Sequence, residues 1–189
     1  MEQEDKHITA LYFGSFNPLH KGHLAVAEYA LDHLSIEEFT FVLSPRNPFK
    51  HASVALNSRD RLRNLREEVA SFAKKYKEKT DSSKLINVSD IEFSLPSPLY
   101  TYNTLTAFKA KFPNKKFVII MGADNIAIIE NWYKGHEILS EYEIYVYPRT
   151  GYDGKAICKR LGAHFMEGEL VNISSTAIRN GVAPNQLEL

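Results

Sequence analysis

The chain is poor in several features that would direct it to other roles. Its 189 residues hold a single cysteine, Cys158, which excludes an intramolecular disulfide and any cysteine-based zinc cluster. That residue falls in a helical pattern beside Lys159 and Arg160 and reads as a structural thiol. No excess of either charge is present, because 23 Lys and Arg balance 23 Asp and Glu. A bulk electrostatic footprint for nucleic acid or membrane is therefore not expected. No apolar run approaches the roughly 20 residues of a membrane span, and no signal-peptide pattern precedes the first strand candidate. The expected compartment is the cytoplasm. No G-x-G-x-x-G follows the first strand, which argues against a dinucleotide-dependent oxidoreductase. Internal repeats, low-complexity stretches and linkers are also lacking.

With 44% hydrophobic and 12% aromatic residues, the chain can bury one full core, and 1–189 is expected to form a single domain. Strand-like runs rich in β-branched and aromatic residues lie at 8–13, 39–43, 85–88, 117–121 and 144–147. Helical patterns fill the intervals at 22–34, 58–76, 102–112, 135–141 and 152–161. Ser58 suits the cap of the second helix, with Asn57 as the other candidate start. A short strand near Phe165 and a last helix from Ser175 complete the series. Strands alternating with helices imply βαβ units, and strands without alternation imply a sheet covered on both faces. The expected fold is α/β, a Rossmann-like doubly wound parallel sheet with helices on both faces. Ligands in such folds bind beyond the carboxyl ends of the strands, where the strand order reverses.

The segment GSFNPLHKGH, residues 14–23, occupies such a position between the first strand and the first helix. A strand-to-helix turn holds anions because free N–H groups and the positive end of the helix dipole point at the ligand. Gly14 permits close backbone approach, and Pro18 fixes the turn without requiring an N–H partner. Gly22 keeps a side chain from crowding a nucleotide at the helix start. His20 and His23, three apart, can face the same way and donate to phosphate oxygens. A zinc pair needs a third ligand, and neither an HExxH pattern nor a spaced histidine cluster supplies one.

Three further segments carry chemistry. In ISSTAIR, residues 173–179, the hydroxyls of Ser174, Ser175 and Thr176 open a helix and Arg179 follows one turn later. A hydroxyl at a helix start is ordinarily a cap, but the added guanidinium suits a polyphosphate. In SPRNPFKH, residues 44–51, two prolines hold the chain out of regular structure while Arg46, Asn47, Lys50 and His51 offer positive charge and an amide. This is either a solvated basic loop or a phosphate-holding one. Asn131-Trp132-Tyr133 contains the only tryptophan, which either packs at the rim or stacks on an aromatic ligand. Asp124, just past Gly122, either accepts hydrogen bonds from a ribose or base or caps the next helix.

These residues resemble the HxGH-type nucleotidylyltransferase superfamily from Leu11 to Arg179. GSFNPLHKGH is similar to its first signature, Gly-Ser/Thr-Phe-Asp/Asn-Pro-x-His-x-Gly-His, and ISSTAIR to its second, Ile-Ser-x-Thr-x-Ile-Arg. Pro98-Leu99-Tyr100-Thr101, the stretch IIMGADN and Asn131-Trp132-Tyr133 resemble the nicotinate-nucleotide adenylyltransferase branch. Phosphopantetheine adenylyltransferases and cytidylyltransferases share the first signature but are not expected to carry the Trp-Tyr segment. The resemblance implies transfer of AMP from ATP to nicotinate mononucleotide, releasing pyrophosphate, in NAD biosynthesis. It places His20 and His23 on the α- and β-phosphates and Arg179 on the leaving pyrophosphate. Gly14, Ser15, Phe16, Gly122, Asp124, Ser174, Ser175 and Thr176 complete the ATP side. Trp132 and Tyr133 are implied to hold the pyridine ring, Thr101 its carboxylate, and Arg46, Asn47 and Lys50 the acceptor's phosphate. Mg²⁺ is implied to arrive mainly on the ATP phosphates, with no protein metal ligands.

Nicotinamide mononucleotide and phosphopantetheine are the alternative acceptors, and a non-catalytic nucleotide-binding module is the alternative of another class. Association with further copies of the chain is left open. Three positions depart from the family pattern. Phe13 stands where many members have glycine, Arg46 and Phe49-Lys50 replace an Asn- and Pro-rich form, and the chain ends ten residues past Arg179 at Leu189.

Overall fold

The computed structural model describes residues 7–45 and 58–171, together with Ser175 and Ile178. Runs of β-branched and aromatic residues pair as parallel strands, and the amphipathic stretches between them return over the sheet as helices. In chain order the elements are β1 (His7–Gly14), α1 (Lys21–His33), β2 (Glu38–Leu43), α2 (Ser58–Thr80) and β3 (Leu85–Ser89). A 3₁₀ turn at Ile91–Ser94 leads to α3 (Thr101–Lys111), β4 (Lys115–Gly122) and the short α4 (Ala123–Ile126). A second 3₁₀ turn at Ile129–Asn131 precedes α5 (Gly135–Glu141), β5 (Ile144–Tyr147), α6 (Gly154–Leu161) and β6 (His164–Phe165).

The strand order is β3-β2-β1-β4-β5-β6, with every pair parallel. The order reverses between β1 and β4, whose register sets Ala10 opposite Val118 and Tyr12 opposite Ile120. Because strand side chains alternate, each central strand feeds two cores. Ala10, Tyr12, Val118 and Ile120 join Phe39, Phe41, Val26, Leu31, Leu65 and Val69 beneath α1 and α2. Leu11, Ile119 and Met121 join Leu105, Phe108, Ile126, Ile138 and Cys158 beneath α3 to α6. Helices therefore cover both faces, as expected.

Several boundaries differ from the sequence reading for local reasons. Helix α6 starts at Gly154 rather than residue 152, because the Asp153 carboxylate accepts the N–H of Ala156 at 3.1 Å and caps it. It stops at Gly162, which adopts the left-handed conformation with φ 72°. Helix α2 continues to Thr80, past the predicted residue 76. Ser58 is the first residue of that helix, and Asn57 lies outside the described residues. Strand β3 lies at the sheet edge, and Leu85 at its start is 51% exposed.

Candidate active site

The loop between β1 and α1 opens at the carboxyl end of β1, beside the point where the strand order reverses. Phe16 holds φ 39°, a strained conformation for a residue with a large side chain. Its buried ring repays this by packing edge-on against Tyr12 at 5.6 Å, Phe41 at 5.4 Å and His23 at 5.1 Å between centroids. A Cβ on Gly14 would lie 2.8 Å from that ring. Gly14 thus makes room for Phe16 rather than only for a ligand. A Cβ on Gly22 would lie 3.0 Å from the His20 ring, so this glycine first accommodates the histidine, which refines the expectation that it accommodates a nucleotide.

His20 takes the N-cap position of α1 with extended backbone. Its N–H donates to Nδ1 of His23 at 3.2 Å, which leaves Nε2 to carry the His23 proton. The two rings stack with centroids 3.7 Å apart and planes inclined by 25°. Nδ1 of His20 is buried with no hydrogen-bond partner. Burial lowers the His20 pKa to about 4, helped by the Arg149 charge. Burial, with His20 and Arg149 nearby, lowers His23 to about 2. Both imidazoles are neutral at pH 7. The first turn of α1 contains no acidic residue to offset the positive end of its dipole.

Across the crevice, β4 ends at Gly122, and Asp124 lies in the first turn of α4. The cap position belongs to Gly122, so Asp124 does not cap this helix. Its Oδ1 instead faces the Arg149 Nε at 3.6 Å. A Cβ on Gly122 would lie 2.3 Å from that carboxylate oxygen and 2.9 Å from the Arg149 Nε, so only glycine lets this pair close over the strand end. Arg149 also approaches Tyr12, whose hydroxyl burial pushes up to about 12 against the pull of the guanidinium. The sequence reading missed Arg149, which belongs to no motif. Its position two residues past a strand terminus was the available signal.

The expected acceptor residues divide into two groups. Arg46, Asn47, Lys50 and His51 lie outside the described residues. The residues flanking Thr101 meet Tyr133: Tyr100, the N-cap of α3, stacks on it at 4.7 Å, and Tyr102 meets the same ring edge-on. Trp132 packs against the core beneath α3 to α6, with Nε1 buried and without a hydrogen-bond partner. Tyr133 is exposed. The first turn of α3 contains no acidic residue either.

Of the second signature, Ser175 and Ile178 are described and helical, while Ser174, Thr176 and Arg179 lie outside the described residues. Ser175 Oγ donates to the Pro18 carbonyl at 3.1 Å. One contact therefore joins the two signatures across 157 residues. Among the described residues no group of three His, Cys, Asp or Glu is placed to hold a metal ion.

The loop after β1, the neutral stacked histidines and the N-terminus of α1 meet at the sheet's reversal point, the place where nucleotide-binding α/β proteins hold their ligands. Comparison with known sequences makes the class specific. The cytidylyltransferase-like family model matches residues 11–181. A Cytophaga hutchinsonii protein named "Probable nicotinate-nucleotide adenylyltransferase" is 37% identical over 170 residues, 90% of this chain and 83% of its own. A Bacteroides fragilis protein of the same name is 34% identical over 175 residues, 93% of this chain and 82% of its own. The Plasmodium falciparum nicotinic acid mononucleotide adenylyltransferase complexed with NaAD superposes with a TM-score of 0.69 at 22% identity, covering 95% of this chain and 88% of that one. Its complex with APC gives 0.67 at 20% identity over 96% and 88%. The chain belongs to the cytidylyltransferase-like family, in its nicotinate-nucleotide adenylyltransferase branch.

Proposed function

We infer that this chain transfers the adenylyl group of ATP to nicotinate mononucleotide, releasing pyrophosphate and forming the deamido dinucleotide used for NAD synthesis. The observation that carries the reading is the stacked His20–His23 pair at the N-terminus of α1, tied to the second signature through Ser175. The acceptor's phosphate oxygen attacks the α-phosphorus, and the bond to the pyrophosphate oxygen breaks in line. That phosphate is already ionised at pH 7, so the step requires no general base.

Neutral imidazoles suit this chemistry. With pKa values held down to about 4 and about 2, His20 and His23 act at pH 7 as hydrogen-bond donors to phosphate oxygens rather than as proton donors. Their contribution is positioning and stabilisation of negative charge in a site organised before the substrates arrive. Ser15, Ser174 and Thr176 add hydroxyl donors, Ser175 directs its own to the Pro18 carbonyl, and Arg179 takes the leaving pyrophosphate. Asp124 is assigned to the adenosine side, and Gly122 leaves the room in which it lies beside Arg149 at the strand end. Mg²⁺ bound to the phosphates supplies charge neutralisation.

Selection of the pyridine ring falls to Trp132 and Tyr133. The N-terminus of α3 carries no acidic residue in its first turn, so Thr101 and the helix dipole favour a carboxylate over a carboxamide. The acceptor's phosphate is assigned to Arg46, Asn47 and Lys50. A single sheet bearing both cores supports reading the chain as one domain.

The test is pyrophosphate release from ATP and Mg²⁺ with nicotinate mononucleotide, nicotinamide mononucleotide and phosphopantetheine compared side by side. A kcat/KM at least tenfold higher for nicotinate mononucleotide is expected. A preference for either other acceptor would keep the chemistry and overturn the pocket assignment. ATP binding without turnover of any acceptor would make the chain a binding module.

A further inference from the structure

We propose that Arg61, in the first turn of α2, is a positioning residue that sets the loop after β1 and the first residues after β2, Ser44 and Pro45, in one geometry. Its guanidinium donates from Nη1 to the Ser15 carbonyl at 3.1 Å and the Ser44 carbonyl at 3.4 Å. Nη2 donates to the Pro45 carbonyl at 2.6 Å. These carbonyls come from two loops 29 residues apart in sequence, each leaving the carboxyl end of a central strand. The planar fork of arginine, always charged, is the side chain able to satisfy several acceptors in fixed directions. Lysine, a point charge on a flexible stem, has no such fork.

The consequence for function follows from the planarity of the peptide bond. The Ser15–Phe16 peptide is trans, the cis bonds being Asn17–Pro18 and Ser97–Pro98. Holding the Ser15 carbonyl toward Arg61 therefore turns the Phe16 N–H the opposite way, away from α2. That N–H belongs to the loop assigned to ATP phosphates, at the residue whose φ is strained. On the other loop, Ser44 also lies near the buried Glu92 carboxyl, whose pKa it pulls down against the effect of burial. Glu92 in turn accepts from Thr104 Oγ1 of α3 at 2.8 Å. Arg61 thus stands at the junction of the ATP loop and the root of the loop assigned to the acceptor's phosphate. The inference rests on the adenylyl-transfer reading. It adds that the two substrate loops share one anchor and respond together when it is removed.

The experiment compares wild type, R61K and R61M, with ATP and nicotinate mononucleotide each varied and the folded state followed by circular dichroism. R61M is expected to raise KM for both substrates about tenfold or more, through the loss of at least one charge-assisted hydrogen bond on each side. R61K is expected to give intermediate KM values, since an ammonium keeps the charge but not the fork. A residue that only supports the fold would lower kcat with the folded fraction and leave both KM values alone. KM values within twofold of wild type for both substrates overturn the proposal. If R61M does not fold, R61K decides: KM values raised more than twofold for both substrates support the proposal, and values within twofold overturn it. If wild type itself turns over no acceptor, the functional reading fails at that point. The ATP Kd of wild type and R61M by calorimetry then decides: a rise of about tenfold supports the anchor, and a change under twofold removes it.

Discussion

At the scale of single residues, the candidate site holds two imidazoles that do not titrate where imidazoles ordinarily do. His20 and His23 are held neutral by burial and by the Arg149 charge, and His23 accepts the His20 N–H at Nδ1. Both therefore stay neutral across neutral pH, and His23 presents its donor at Nε2. His20→Ala is expected to lower kcat/KM about 100-fold with the fold intact, as for removal of a charge-stabilising donor. The wild-type enzyme should show no imidazole titration in kcat between pH 6 and 8. A change under tenfold in the variant, or a step near pH 6.5 that vanishes with it, would sink the neutral-donor role. The histidine spacing was legible in the sequence because it rests on helix geometry alone. Their neutrality was not, because desolvation and the Arg149 charge arise only when β5 is laid beside β4.

At the scale of elements, the ends of α1 are treated differently. The N-terminus carries the histidines and lacks an acidic residue, so its dipole stays available to an anion. At the C-terminus, the Lys84 ammonium donates to the carbonyls of Leu31 and Leu34. A cation on those carbonyls stabilises the helix end and complements the dipole. Lys84→Met is expected to reduce stability by about 1 kcal/mol, which for a chain of this size lowers Tm by about 2–4 °C. The helix puts roughly 20 Å between Lys84's contacts and His20, so kcat should be unchanged. A stability equal to wild type would show that the cap contributes nothing. Helix positions were readable from periodicity, whereas Lys84 reaches α1 across 53 and 50 residues, a pairing no local pattern encodes.

For the whole molecule, two clusters at opposite ends of the strands both make the fold sensitive to acid. At the amino ends, buried Glu38 accepts from Lys115, from Asn87 at 2.9 Å and from Thr40 at 3.2 Å, joining β2 to β4 and β3. These hydrogen bonds and the Lys115 charge hold its pKa below 4.5 despite burial. Its stabilisation is present above pH 4.5 and is lost as pH falls through the lower folded value. At the carboxyl ends, the unfolded histidines bind protons below 6.5 while folded His20 and His23 resist until about 4 and about 2. Protons thus favour the unfolded chain from pH 6.5 downward. Urea midpoints at pH 7.5, 5.5 and 4 should fall in that order. Glu38→Gln should lower the pH 7.5 midpoint by the equivalent of about 1–3 kcal/mol and flatten the decline below pH 4.5. Midpoints that do not change between pH 7.5 and 5.5 would contradict the burial of neutral histidines.

What the sequence determined by itself is local. Strand and helix periods, the turn that carries residues 14–23, and the hydroxyl cluster before Arg179 are set by neighbours in the chain. The parallel sheet follows from their alternation. What tertiary structure decided is which distant groups meet. Arg149 faces Asp124, Arg61 spans two loops, Ser175 touches Pro18, and the Phe16 ring fills the space that Gly14 leaves. The physical reason is that a charge or a hydrogen bond acts through distance in space. Only the folding of β1, β4 and β5 into one sheet brings these side chains within its reach.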